Sequence, residues 1–316
     1  MSERLLFLSQ ADVARLLDID TLLEALASAF VEISAGRTSV PPRIAARTPA
    51  GGLLGAMPGY VNGVLEAKLV SVFPQNHVRG IPSHQGLIVL FDDATGAPLA
   101  VMDGIAITAV RTGAAAAVAA RWLARPDASV LAVLGAGVQG RSHLVAFPRV
   151  RQFTDVRVAS RAIEKAQALA AEAPNAHAVA SFEEAVRGAD VVCLCTDARE
   201  PVIRYEWLKP GVHVSSVGGT FGPEVDARTI ALGTLFVESR DVVRMAPPGG
   251  AHELQGLQPD GVTEIGEVIA GTRPGRADAS ELTVYKSSGH AAEDAVAAKL
   301  VYERALAEGA GQSVTL

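Results

Sequence analysis

The sequence predicts an α/β protein: a doubly wound parallel sheet joined to a smaller α+β domain at the N-terminus. Three observations predict it. A short apolar run at 130–134 leads into glycines in G-x-G-x-x-G spacing and then into helix-compatible residues. After it, strand-like and helix-like stretches alternate. Before it, the chain reads as strands broken by turns. The 316 residues suffice for two domains with a large core. A composition of 49% apolar but only 5% aromatic residues, rich in Ala, Val and Leu, suits buried parallel strands.

In chain order, Leu5 to Leu8 reads as a short strand. From Asp20 to Gly36 the spacing of Leu22, Leu23, Leu26, Phe30 and Ile33 is helical, and Gly36 ends it. Val40-Pro41-Pro42-Arg43 breaks any helix. From Arg43 to Val101 the pattern is strand-like, with turns at Pro49–Gly52, Asn62-Gly63, Arg79-Gly80 and Ala94–Gly96. Leu87 to Phe91 is the clearest strand. Ile105 to Ala124 is a long Ala-rich helix carrying Arg111, broken by Arg125-Pro126-Asp127, and the domain boundary is placed there. Strands are expected near 129–134, 155–159, 176–180, 190–195, 211–217, 234–238 and 281–286, with helices clearest at 162–172 and 181–187. Pro148 should kink or end the helix after the glycines. The stretch 244–261 has no regular period and reads as a long loop. Ala291 to Gly309 is a last helix that returns to the first domain. The domains are thus 1–124 with 290–316, and 125–289.

Each glycine of the motif has a mechanical reason. Gly135 permits the tight turn, Gly137 lets backbone approach a pyrophosphate, and Gly140 lets helix pack close to strand. Val138, Gln139 and Gly140 open a helix whose free N–H groups point at phosphates. This is the pattern of a Rossmann dinucleotide site. Where an NAD site places Asp or Glu at the end of the second strand, this chain has Ser160-Arg161, with Lys165 one turn on. A cation and a small donor there favour NADP(H); with Arg161 merely solvated, NAD(H) remains the alternative.

A formal charge of −6 carries no nucleic-acid footprint. The start lacks a secretory pattern, and no apolar run approaches membrane-span length, so a soluble, cytoplasmic protein is expected. Cys193 and Cys195 have no ligand cluster around them; they read as buried thiols in a reducing compartment, and no metal site is expected.

Ligands of an open α/β sheet bind beyond the carboxyl ends of its strands. Beside the glycine loop, that directs attention to 196–200, beginning at Thr196, to 217–224, beginning at Val217, and to 286–290. The first domain adds Arg43, Lys68 and Arg111, each in an apolar or turn context. A charge so placed is costly without a partner or ligand. Converging cations suit a carboxylate substrate; structural ion pairs, for instance with Glu66 or Asp103, account for them equally well.

Several longer stretches resemble one family. They are VPPR at 40–43, EAKLVSVFPQN at 66–76, GIPSHQGLIVLFDDATGAPLAVMDG at 80–104 and ITAVRTGAAAAVAARWLA at 107–124. LGAGVQGRSH, EWLKPGVHVSSVG at 206–218 and GEVIAGTRPGR at 266–276 follow in the same order. Together they resemble the ornithine cyclodeaminase/mu-crystallin family nearly end to end. The resemblance implies a Rossmann domain inserted after an N-terminal substrate and dimerisation domain, and a homodimer built through the latter. It implies that Arg43, Lys68 and Arg111 hold a substrate carboxylate, and that Thr112 and the Gly135–Gly140 turn lie beside the cofactor phosphates. It places Ser288 and Gly289 near the nicotinamide.

One position departs from the cyclodeaminase pattern. There an Asp follows the V-G-G strand end and serves as base toward the substrate amine. Here Val217-Gly218-Gly219 is followed by Thr220, which cannot act as a general base near pH 7. Asp226, downstream, reads as a helix cap. The resemblance therefore favours a reductase of cyclic or other imino acids, with Lys68 or a water held by Thr220 supplying a proton. Two alternatives stay open: an ornithine cyclodeaminase recycling NAD, and a protein that binds NADPH and a small ligand without turnover.

Overall fold

Strand β1 (Arg4–Leu8) passes into Ser9, which forms a capping box with Asp12 and starts helix α1 (Gln10–Leu16). Helix α2 (Ile19–Ser34) begins at Asp18, whose side chain accepts the Thr21 N–H, and buries Leu22, Leu23, Leu26, Phe30 and Ile33 on one stripe. Strands β2 (Ile44–Arg47), β3 (Leu53–Val61), β4 (Val64–Val72), β5 (His84–Phe91) and β6 (Pro98–Asp103) follow. Asn62 and Gly63 are both left-handed, φ 51° and 73°, which suits the two-residue turn joining β3 to β4. Asp103 accepts the Ala106 N–H at 2.7 Å and so starts helix α3 (Gly104–Leu123).

The chain continues through β7 (Val130–Leu134), α4 (Val138–Ala146), β8 (Asp155–Ala159), α5 (Ile163–Ala170), β9 (Ala176–Ala178), α6 (Phe182–Val186) and β10 (Val191–Leu194). Then come β11 (His213–Ser216), α7 (Ala227–Leu232), β12 (Thr234–Val237), α8 (Asp241–Arg244), β13 (Thr263–Glu264) and α9 (Ile265–Ile269). The last elements are β14 (Thr283–Lys286), α10 (Ala291–Glu308) and β15 (Gln312–Thr315). This computed structural model describes residues 4–219 and 221–315. Pro148 acts as expected: α4 stops at Ala146 and Phe147–Arg149 is a 3-10 turn. The expected strand at 176–180 is shorter, and 244–261 is irregular apart from short 3-10 turns. Among the described residues, no helix is long and apolar enough to cross a membrane.

Two compact units result, Met1–Arg111 with His290–Leu316, and Thr112–Gly289. They divide inside α3 rather than at the Arg125-Pro126-Asp127 break. The second half of α3 is fully buried from Ala114 to Ala120. It packs on its own unit: a Cβ on Gly113 would meet Ser142 of α4 at 2.2 Å.

The first unit is a seven-stranded sheet in the order β15-β1-β6-β5-β4-β3-β2, antiparallel except for β1–β6. Helix α10 lies across β3 and β4. The second unit is an eight-stranded, wholly parallel sheet in the order β13-β12-β14-β11-β10-β7-β8-β9. From β7 the chain winds outward through β8 and β9, then returns to β10 on the other side of β7. That reversal opens a crevice between β7 and β10 at their carboxyl ends.

Candidate functional site

In the first unit, the β3–β4 register fixes which residues of β4 face α10. Val64, Glu66 and Lys68 share the buried face, and two of these three are ionisable. Helix α10 brings Glu293 and Asp294 in its first turn, where the helix dipole favours acids. Lys68 Nζ donates to Asp294 Oδ2 at 2.5 Å. Arg111 on α3 donates from Nε to Asp294 Oδ1 at 2.9 Å and from Nη1 to Glu293 Oε2 at 2.7 Å. Lys68 and Arg111 are each only 4% exposed, and both acids are fully buried.

Burial pulls the Lys68 ammonium below the usual lysine range, against the opposing effect of Asp294. Burial also acts against charge on Arg111 and Asp294. Their mutual attraction outweighs it, so the guanidinium is held above and the carboxyl below its ordinary range. Glu66 differs. It is 1% exposed, and neither carboxylate oxygen has a hydrogen-bond partner. Burial first, and then Asp294, push it up to about 9. The sequence-level ion-pair alternative thus needs correction. Lys68 and Arg111 are indeed paired, but with Asp294 and Glu293. Asp103 caps α3 and Glu66 pairs with neither cation.

The set is not saturated. Among the described residues, Lys68 uses one of its three ammonium donors and Arg111 Nη2 makes no hydrogen bond. Arg43 stands half-buried one residue before β2. Since Ile44 pairs with Ala56, it lies at the level of Met57 and hence of Lys68.

In the second unit, the predicted dinucleotide residues gather at the carboxyl ends of the parallel strands. Gly135 directly follows β7 with φ 109°, and a Cβ there would sit 2.4 Å from the Cys195 carbonyl across the β7–β10 crevice. A Cβ on Gly140 would meet the Gly135 carbonyl at 2.0 Å, so only glycine lets α4 start this close to β7. Beside Gly137 no atom lies within 4 Å, which is the room a pyrophosphate needs. Gly137 caps α4 without a side-chain bond, Val138 is exposed, and Gln139 Oε1 is a buried acceptor without a partner. These residues fit a dinucleotide phosphate group. Thr112 is buried in α3 beside the Gly113–Ser142 crossing. Ser160 and Arg161 follow β8, and Arg161 pairs with Asp197 at 3.0 Å, both side chains largely exposed.

A second buried charge network, unrecognised in the sequence, backs the β11 turn. Glu224 accepts Thr196 N–H and Oγ1 at 2.7 and 2.5 Å through one oxygen, and Ser216 Oγ and Gly218 N–H at 2.7 and 2.8 Å through the other. Lys286 Nζ donates to Ser216 Oγ and to the Gly218 carbonyl at 2.9 and 2.8 Å, and forms an ion pair with Glu253 at 3.1 Å. Thr196 is held by this network, and Val217 N–H donates to the Leu194 carbonyl at 3.1 Å; Thr220 lies outside the described residues. Ser288 N–H donates to Glu238 at 2.7 Å and its hydroxyl to the Gly249 carbonyl at 2.8 Å, while Gly289 N–H donates to Ser287. Asp226 caps α7, accepting the N–H groups of Arg228 and Thr229. Signals for this network existed: Lys286 closes an apolar strand as conspicuously as Lys68 interrupts one. Burial holds the Cys193 and Cys195 thiols up, and no cluster of three metal-ligating side chains occurs among the described residues.

Known proteins resemble the chain over nearly its whole length. The chain is 40% identical over 257 residues to ketimine reductase mu-crystallin of Rattus norvegicus, covering 80% of each chain. It is similar in structure to the Δ1-pyrroline-2-carboxylate reductase of Thermococcus litoralis in complex with NADH and L-proline. The TM-score is 0.91 at 35% identity, over 98% of this chain and 100% of that one. An archaeal alanine dehydrogenase dimer with bound NAD superposes with a TM-score of 0.89 at 31% identity, over 98% of this chain and 99% of that one. The model of the ornithine cyclodeaminase/mu-crystallin family matches residues 3–309, and the chain belongs to that family.

Proposed function

We propose that this chain reduces the C=N bond of an α-imino acid, of the cyclic pyrroline-2-carboxylate or piperideine-2-carboxylate type, with a reduced nicotinamide dinucleotide. The observation that carries this is the unsaturated Lys68–Arg111 pair, two buried cations with donors to spare. A planar guanidinium and an ammonium grip a carboxylate through charge-assisted bonds and set its orientation. Arg43 joins them as a third cation. The bound dinucleotide supplies the hydride. Gly135, Gly137, Val138, Gln139 and Gly140 cradle its phosphates, with Thr112, Thr196 and Val217 beside them and Ser288 and Gly289 toward the nicotinamide. Lys68 is the proton donor to the imine nitrogen, its proton loosened by burial. Thr220, which follows Val217-Gly218-Gly219 in the sequence, lacks basicity, and this disfavours deamination of an amino acid.

The alternative with a specific observation behind it is reductive handling of an acyclic imino acid, since the archaeal relative is an alanine dehydrogenase. Ornithine cyclodeamination needs a base where this chain has Thr220.

NADP(H) is the preferred cofactor. The Arg161–Asp197 pair is exposed, and such pairs contribute about 0–1 kcal/mol, so Arg161 can turn to a 2′-phosphate at little cost. The chain acts as a homodimer in the cytoplasm. Ile44, Ala56, Leu69 and Leu87 line up across β2, β3, β4 and β5 on the face away from α10, and Ile44, Leu69 and Leu87 are exposed. Such an apolar row suits a second copy of the chain. The domain limits at 1–124 with 290–316 and at 125–289 assign substrate binding and dimerisation to the first part and the dinucleotide to the second.

One assay panel tests the activity: NADPH and NADH oxidation with pyrroline-2-carboxylate and piperideine-2-carboxylate, beside proline and ammonia formation from ornithine. Imine reduction without ornithine turnover is expected. Robust proline formation with ammonia release would overturn it.

A further inference from the structure

One further ionisable group of the first unit is buried. Glu66 lies on the same face of β4 as Lys68, two residues away, and is 1% exposed. Its neighbours across the sheet are Gly59 on β3 and Leu90 on β5, neither of which titrates. A Cβ on Gly59 would approach Glu66 Oε1 to 3.2 Å and Ala291 Cβ to 3.0 Å, so the carboxyl sits beneath the first turn of α10. The charged groups that act on it are Asp294 on α10, Lys68 on its own strand and Arg111 on α3.

The charges decide its state. Lys68 and Arg111 carry two positive charges; Glu293 and Asp294 carry two negative ones and engage both cations. The set is already neutral. A fifth charge, buried and without a hydrogen bond, is costly, so Glu66 is held as the neutral acid. A substrate carboxylate drawn to Lys68 and Arg111 adds a negative charge to the set and calls for a proton.

We propose that Glu66 is a proton-holding positioning residue: it keeps a proton inside the first unit and, by way of Lys68, replaces the one that Lys68 gives to the imine nitrogen. This rests on the imine-reduction reading above. The step balances. With a hydride supplied by a bound reduced nicotinamide, an N–H bond of Lys68 would break as one forms on the substrate nitrogen, and the Glu66 carboxyl, held by no hydrogen bond in the resting fold, would turn to Lys68 and give up its O–H proton to restore the ammonium. The Glu66 carboxylate left beside that ammonium is reprotonated from water once product departs.

The test uses Glu66→Gln, which keeps shape and neutrality but cannot release the proton. In the full-length enzyme, kcat for imine reduction should fall on the order of 10²–10³-fold with KM little changed, and the basic limb of the wild-type kcat–pH profile should vanish. A second readout needs no activity. A carboxyl held neutral to about 9, against 4.5 when free, makes the fold lose stability as pH rises between those values. The melting temperature of wild type should therefore fall relative to Glu66→Gln from pH 5 to pH 9. If Glu66→Gln does not fold, the infrared carbonyl band of a protonated carboxyl in wild type at pH 7, lost above pH 10, provides the same test. An unchanged kcat and pH profile in Glu66→Gln would overturn the proton-supply role, and a flat stability difference or a missing band would overturn the neutral state. Failure of wild type to reduce any imine would instead overturn the activity, leaving the stability readout to judge Glu66 separately.

Discussion

Two lysines are buried at comparable depth, one in each unit, and they are held differently. Among the described residues, Lys286 gives hydrogen bonds to Ser216 Oγ and to the Gly218 carbonyl and pairs with Glu253. Lys68 makes one hydrogen bond there, to an Asp294 that it shares with Arg111. Burial alone therefore does not separate a brace from a binding group; the count of satisfied donors does. Lys286 ties β14 to the β11 turn with two hydrogen bonds and an ion pair. Among the described residues, Lys68 is held by Asp294 alone and retains donors for a carboxylate.

The sharpest way to break this comparison is to shorten the list of donors at each site. Lys68→Met should cost on the order of 10²–10⁴ in kcat/KM for imine reduction in addition to stability, because it leaves Arg111 alone against the buried Asp294 and Glu293. Lys286→Met should cost stability without that loss of kcat/KM. It strands the buried Glu253, and breaking a buried pair from one side costs about 3–5 kcal/mol. Thermal melts and steady-state kinetics on both variants decide it; equal effects on kcat/KM would erase the distinction.

Next in size is an opposite pH response of the two units. In the second unit His143 and His213 are fully buried, and burial first of all holds them down to about 4 and about 3 against 6.5 when free. They are neutral in the fold, while the unfolded chain takes up protons below 6.5, so stability falls as pH drops from 6.5 toward 4. Each costs on the order of 2 kcal/mol by pH 5. The first unit, through Glu66, weakens instead as pH rises. Hydrogen exchange at pH 5 and pH 9 should show amides of the second unit loosening first in acid and those of the first unit in base; a common response would refute the assignment.

How much of this the sequence discloses depends on the range of the interaction. The glycine turn is local: Gly135, Gly137 and Gly140 stand between a strand and a helix, and spacing alone reveals their purpose. Lys68 and Arg111 stand out because a charge in an apolar strand or an Ala-rich helix demands an explanation. Their partners do not. Asp294 is 226 residues from Lys68 and 183 from Arg111, and a Glu-Asp pair in the first turn of a helix is fully accounted for by the dipole. Sequence neighbours such as Glu66 and Asp103 were the available candidates, and neither is the partner. The short strand β15 and helix α1 escaped for a related reason: at 4 and 7 residues they show too little periodicity to read.

The smallest effect concerns cofactor choice. Because Arg161 is exposed and paired with Asp197, its bond to a 2′-phosphate should fall near the lower end of charge-assisted contacts, about 1.5 kcal/mol or roughly tenfold. Arg161→Ala should lower the NADPH-to-NADH affinity ratio by that factor. An unchanged ratio would place phosphate selection elsewhere.

The most direct measurement of carboxylate binding by the unsaturated pair uses an unreactive planar mimic. With NADPH present, pyrrole-2-carboxylate should raise the melting temperature of wild type and bind measurably by calorimetry, whereas pyrrole, lacking the carboxylate, should do neither. In Lys68→Met the affinity should fall on the order of 10–150-fold, the worth of a charge-assisted hydrogen bond, while in Lys286→Gln, provided it folds, it should persist. Equal binding of pyrrole-2-carboxylate by wild type and Lys68→Met would contradict the account.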